Sequence, residues 1–71
     1  MKTNIRHKLS QRIKSLRKEC DYTQEKLAEL ANIDYKYLQR IEGKTPPAIR
    51  IDMIEKLAKA LKVKPSELLD S

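Results

Sequence analysis

The chain has no phenylalanine and no tryptophan, so any core must be assembled from Leu, Ile, Val, Ala and Met. Glycine occurs once, and no run of β-branched residues alternates with polar ones, which argues against sheet. The single cysteine, Cys20, excludes an internal disulfide and carries no metal-ligand spacing. No stretch is apolar for long enough to span a membrane, and no signal-peptide pattern opens the chain. The catalytic inventory is equally thin. There is one histidine, His7, in a basic segment, no phosphate-binding glycine loop, and no evident Asp or Asn to orient either His7 or Cys20. These absences leave no catalytic residue, no metal and no cofactor to assign. What remains is an all-α chain of 71 residues, expected to be cytoplasmic and to fold as one domain, a compact bundle of four to five short helices.

What the chain does have is positive charge, and its distribution is uneven. The formal net charge is +6. Residues 1–19 hold Lys2, Arg6, Lys8, Arg12, Lys14, Arg17 and Lys18 against one acid, Glu19, whereas residues 20–45 sum to −1 and residues 46–71 to +1. A basic end suits a polyanionic partner, although a charged helix face is more often simply solvated. Residues 1–7 are expected to form a mobile basic arm from which Lys2, Arg6 and, just beyond it, Lys8 reach phosphates.

Residues 23–42, TQEKLAELANIDYKYLQRIE, carry the most information. Thr23 can cap a helix by accepting from the free N–H groups of its first turn. Leu27, Ala28 and Ala31 then recur at helical spacing as one apolar face. Asn32 tolerates a left-handed backbone and can end that helix. Ile33 is apolar within the turn, and Asp34 offers a second cap for a segment whose Leu38 and Ile41 face inward. Ala28 is small where the two helices must cross closely. This is the layout of a helix-turn-helix, whose second helix can enter the major groove of DNA.

Around this motif the periodicity predicts a first helix over about Lys8 to Glu19, with Leu9, Ile13 and Leu16 inward. The motif helices run over about Gln24 to Ala31 and Tyr35 to Glu42, with Gly43 as the stop. Pro46 and Pro47 stiffen an extended link. A fourth helix follows over about Ile51 to Leu61, with Ile54, Leu57, Ala58 and Leu61 inward, and a short fifth near Pro65 to Leu69. On a helical wheel the third helix places Lys36, Gln39 and Arg40 opposite its buried stripe, with Tyr35 and Tyr37 on the flanks. Arg or Lys can read guanine and Gln can read adenine; the plainer alternative is a solvated helix face. Thr23 and Gln24 stand where the second helix presents free N–H groups and a positive dipole end, which suits a phosphate. Lys44 and Thr45 follow the third helix and could clamp the DNA backbone, or Lys44 could serve solubility alone.

The ordered set of these residues resembles the helix-turn-helix of the lambda-repressor-like family, also called XRE or Cro/C1. The likeness lies in Thr23-Gln24, Leu27-Ala28, the turn at Asn32-Ile33, Asp34, and Tyr37-Leu38 with Arg40-Ile41-Glu42. It continues upstream through Ile13–Lys18 and downstream through Ile54–Val63. Asn32 stands where the family most often has Gly, and Leu30 takes a position that is usually polar. The resemblance implies base contacts from Tyr35, Lys36, Gln39 and Arg40, and a phosphate contact from the Tyr37 hydroxyl unless its ring shields the core. It also implies an ion pair between Arg17 and Glu42, the alternative being two independent surface charges.

The function implied is a sequence-specific, double-stranded-DNA-binding transcriptional regulator of bacterial or phage type. One helix reads too few base pairs for specificity, so a homodimer on a pseudo-palindromic operator is expected. Ile51, Leu68 and Leu69 are the apolar residues a small core needs least, and they mark the expected dimer interface. Phage repressors, restriction–modification controllers and antitoxins are all compatible with this reading. The competing reading is a protein-interaction module, an antitoxin or adaptor whose partner is a toxin or polymerase; a third is the N-terminal part of a larger regulator.

Overall fold

The computed structural model describes residues 5–69, which form five helices: α1 (Ile5–Glu19), α2 (Gln24–Ala31), α3 (Tyr35–Ile41), α4 (Ile51–Leu61) and α5 (Pro65–Leu69). No strand occurs among the described residues. Leu9, Ile13 and Leu16 of α1 meet Leu27, Ala28 and Ala31 of α2, Leu38 and Ile41 of α3, Ile54, Leu57, Ala58 and Leu61 of α4, and Leu68 of α5 in one core. Helix α2 packs on both α3 and α4, and α5 packs on α4 and α1. The core is wholly aliphatic. Tyr22 and Tyr37 only flank it.

The stops between helices follow from local chemistry. Helix α1 ends at Asp21, α2 at Asn32 and α4 at Lys62, each left-handed with φ of 62°, 57° and 62°. In each case the next amide reaches back to the last full turn: Tyr22 N–H to the Arg17 carbonyl at 3.1 Å, Ile33 to Ala28 at 2.9 Å, and Val63 to Ala58 at 3.0 Å. That is the Schellman arrangement, built three times without glycine. The starts of α2 and α3 are capped by side chains. Thr23 Oγ1 accepts from Lys26 N–H at 3.0 Å, and Asp34 Oδ1 accepts from Lys36 N–H at 3.4 Å.

The lone glycine has a different task from the expected left-handed stop. Gly43 is not at positive φ. Helix α3 closes instead on Glu42, at φ −87° and ψ 0°, followed by a Gly43 N–H to Arg40 carbonyl bond of 3.2 Å. A Cβ at Gly43 would stand 3.3 Å from the Gln39 carbonyl oxygen and 3.4 Å from that of Arg40. Glycine is therefore suited by close approach to the helix end, not by handedness.

Three further expectations change. Helix α1 begins at Ile5, three residues earlier than the apolar pattern predicts, because no Pro or Gly interrupts the chain there. Ile5, Arg6 and His7 are thus helical and not part of an arm, while Lys2 lies outside the described residues. Helix α3 stops at Ile41, leaving Glu42 as its cap. Leu68 is buried at 2% exposure and belongs to the core. A 71-residue chain without Phe or Trp must build its core from aliphatic side chains, and α5, which packs on α4 and α1, contributes Leu68 to it.

Candidate nucleic-acid interface

Helix α3 is only seven residues long, too short to be stable in isolation, so its placement depends on what it is fastened to. Leu38 and Ile41 are fully buried on its inner side. At its end the Glu42 side chain is 1% exposed and the Arg17 side chain 11%. Arg17 Nε donates to Glu42 Oε2 at 2.9 Å and Nη2 donates to Oε1 at 3.0 Å, the planar two-point geometry that guanidinium and carboxylate favour. Arg17 Nη1 donates to the Tyr22 carbonyl at 2.7 Å. Gln24 Nε2 donates to Glu42 Oε1 at 3.1 Å. The Arg17–Glu42 pair therefore joins α1, the α1–α2 turn, the first residue of α2 and the end of α3.

The opposite side of α3 is in solvent. Tyr35, Lys36, Gln39 and Arg40 are exposed, and Lys44 and Thr45 are exposed immediately after the helix. Lys36, Arg40 and Lys44 recur every four residues, so the two on the helix share one face. No acid lies between Asp34 and Glu42, and Glu42 is turned inward to Arg17. The outer face of α3 is consequently cationic, with hydrogen-bonding groups among the charges. Gln39 Nε2 donates to the Tyr35 hydroxyl at 3.1 Å, one helical turn away. Tyr37 is half-buried against the core, the flank position foreseen for it.

The remaining site residues separate. Thr23 is exposed, with its hydroxyl oxygen occupied by the cap to Lys26. Gln24 is half-buried, with one amide hydrogen held by Glu42, which leaves its second N–H and the backbone N–H groups at the start of α2. Ile51 is 78% exposed and Leu69 is also exposed, whereas Leu68 is inside. Among the described residues no group of three or more His, Cys, Asp or Glu could hold a metal ion, and no helix is long and apolar enough to cross a membrane. Cys20 is half-buried.

Sequence reasoning missed three contacts. The Tyr35–Gln39 bond was legible in principle, since residues four apart share a helix face. The Gln24–Glu42 bond spans eighteen positions and had no local signal. Arg12 was read as one of a basic cluster, yet its Nε donates to the Glu67 carbonyl at 3.1 Å and ties α1 to α5.

Comparison with known proteins agrees with this geometry. The helix-turn-helix family model matches residues 13–68, and the chain belongs to that family, of XRE/Cro-C1 type. Control protein C.BamHI of Bacillus amyloliquefaciens is 38% identical over 71 residues, spanning 99% of this chain and 86% of the relative. The crystal structure of the restriction-modification controller protein C.AhdI from Aeromonas hydrophila superposes with a TM-score of 0.83 at 35% identity, covering 89% of this chain and 94% of that one. C.Esp1396I bound to a 19 base pair DNA duplex matches with a TM-score of 0.84 at 32% identity, over 93% of this chain and 87% of the other.

Proposed function

We propose that this chain is a sequence-specific double-stranded-DNA-binding transcriptional regulator of the restriction–modification controller type, acting in the cytoplasm as a homodimer on a two-fold operator. The observation that carries the reading is the acid-free outer face of α3, with Lys36, Gln39 and Arg40 exposed opposite Leu38 and Ile41. Helix α3 lies in the major groove, where Arg40 and Lys36 suit guanine and Gln39 suits adenine. The start of α2, with Thr23 and Gln24, sits on one phosphate, and Lys44 and Thr45 sit on another beyond α3, with Tyr37 between groove and core. The likeness of the whole fold to C.Esp1396I on a DNA duplex supports this docking, and the span shared with C.BamHI and C.AhdI supports the controller role. The described residues 5–69 act as a single DNA-binding domain. Two copies pair through a surface that includes Ile51 and Leu69, the exposed apolar residues of α4 and α5.

Selection from a randomised duplex pool, followed by footprinting of the enriched sequence, tests this. Inverted half-sites with centres about one helical turn, roughly 10 bp, apart are expected. Enrichment of no sequence would favour a protein-interaction module, and one asymmetric half-site bound by a monomer would contradict the dimer.

A further inference from the structure

The Tyr35–Gln39 hydrogen bond makes a prediction about which base is read and how. Both side chains are exposed on the outer face of α3, where a glutamine would ordinarily sample many rotamers. Here Gln39 Nε2 donates to the Tyr35 hydroxyl at 3.1 Å, so the amide is tethered before any ligand arrives. The direction of donation matters. A primary amide has two N–H donors and one carbonyl acceptor. With one N–H spent on Tyr35, one donor and one acceptor remain. That is the complement of adenine in the major groove, which offers its N7 as acceptor and its N6 amino group as donor. Guanine offers two acceptors there, N7 and O6, and would leave the Gln39 carbonyl facing an oxygen. Had the tyrosine hydroxyl donated to the amide oxygen instead, both N–H groups would be free and guanine would be the better fit.

We infer that Tyr35 is a positioning residue acting through Gln39, and that together they form one reading unit selective for adenine. Tyr35 thereby differs from Lys36 and Arg40, which contact bases on their own. This rests on the DNA-reading function proposed above and adds to it a physical reason for the choice of adenine and a division of labour. The hydroxyl fixes the orientation of the amide, and the amide makes the contact. The cost of ordering the glutamine is met within the free protein, so less is lost on binding.

The test uses duplex pools randomised over the binding region, selected by the wild-type protein and by Gln39→Ala, Tyr35→Phe and the double variant, with base frequencies read at every position. Wild type should enrich adenine at one position per half-site. Gln39→Ala should lower that preference about 5- to 150-fold at this position alone. Tyr35→Phe keeps the ring and removes only the hydroxyl, and should lower the same preference at the same position about two- to tenfold. In the double variant Tyr35→Phe should add nothing to Gln39→Ala. The melting temperature of Tyr35→Phe should match wild type, whereas a merely structural role would lower it. The inference is overturned if Tyr35→Phe changes a different position, if its effect adds in full to that of Gln39→Ala, or if the Gln39-dependent position selects guanine. A wild-type protein that enriches no sequence overturns the DNA-reading function itself, and a specific wild-type motif with unaltered Tyr35→Phe selection overturns the positioning role alone.

Discussion

On its inner side α3 buries Leu38 and Ile41 completely and ends on Glu42, whose carboxylate accepts from Arg17 and Gln24. On its outer side Tyr35, Lys36, Gln39 and Arg40 stand in solvent, joined to each other by a single hydrogen bond from Gln39 to Tyr35. The contrast teaches that the residues holding the helix in place and those proposed to read DNA are different residues of one seven-residue helix. Inner residues fix where the helix sits. Outer residues can change identity with little cost to the fold, because none of them belongs to the buried core. A family can in this way keep one scaffold and alter the base sequence it reads.

The inner side should break hardest. Glu42→Ala leaves the Arg17 guanidinium partly buried without its carboxylate, and Arg17→Ala strands a buried Glu42 beside Gln24 alone. Loss of one partner from a buried pair costs about 3–5 kcal/mol, so urea denaturation should show either variant strongly destabilised. The double variant should lose less than the sum of the singles, by a coupling of about 0.5–3 kcal/mol. Arg50 and Asp52 supply the control. Their pair is 3.3 Å long with side chains 84% and 64% exposed, and exposed pairs contribute about 0.2–1 kcal/mol. Additive losses at Arg17 and Glu42, or losses no larger than at Arg50, would contradict the role of this network in holding α3.

The outer side should break more gently, and in two distinguishable ways. On the docking proposed above, Arg40→Ala removes a base contact worth about 1–3 kcal/mol and should narrow the gap between the enriched duplex and random DNA. Lys44→Ala removes a phosphate contact, should weaken both DNAs alike, and should lower the salt slope by about one. Titrations at several salt concentrations separate the two. Intact discrimination in Arg40→Ala with discrimination lost in Lys44→Ala would place the wrong element in the groove.

The same division explains what the sequence could reveal. The helices and their inner faces were legible because Leu27, Ala28, Ala31, Leu38 and Ile41 repeat at helical spacing between recognisable caps at Thr23 and Asp34. The stop at Asn32 was legible because asparagine tolerates the left-handed conformation it adopts. The end of α4 at Leu61 was legible from its apolar spacing, but the left-handed backbone of Lys62 that closes it was not, since lysine carries no such signal. Leu68 was misassigned to a surface because spacing within a five-residue helix cannot say which of two adjacent leucines turns inward. The start of α1 was placed too late although Ile5, four residues before Leu9, continues the helical spacing; its side chain is exposed while the backbone is helical. Within the site, the exposed reading face followed from the wheel alone. The Gln24–Glu42 bond did not, because it depends on how two helix ends meet in space.

One chemical measurement bears most directly on α3 as the element that reads DNA. Dimethyl sulfate methylates guanine N7, which lies in the major groove, and adenine N3, which lies in the minor groove. With the enriched duplex and wild-type protein, guanine N7 should be protected within each half-site while adenine N3 stays reactive, and Arg40→Ala should restore reactivity at one guanine in each half-site. Protection of adenine N3 with guanine N7 left open, or N7 protection indifferent to Arg40→Ala, would contradict the placement of α3 in the major groove.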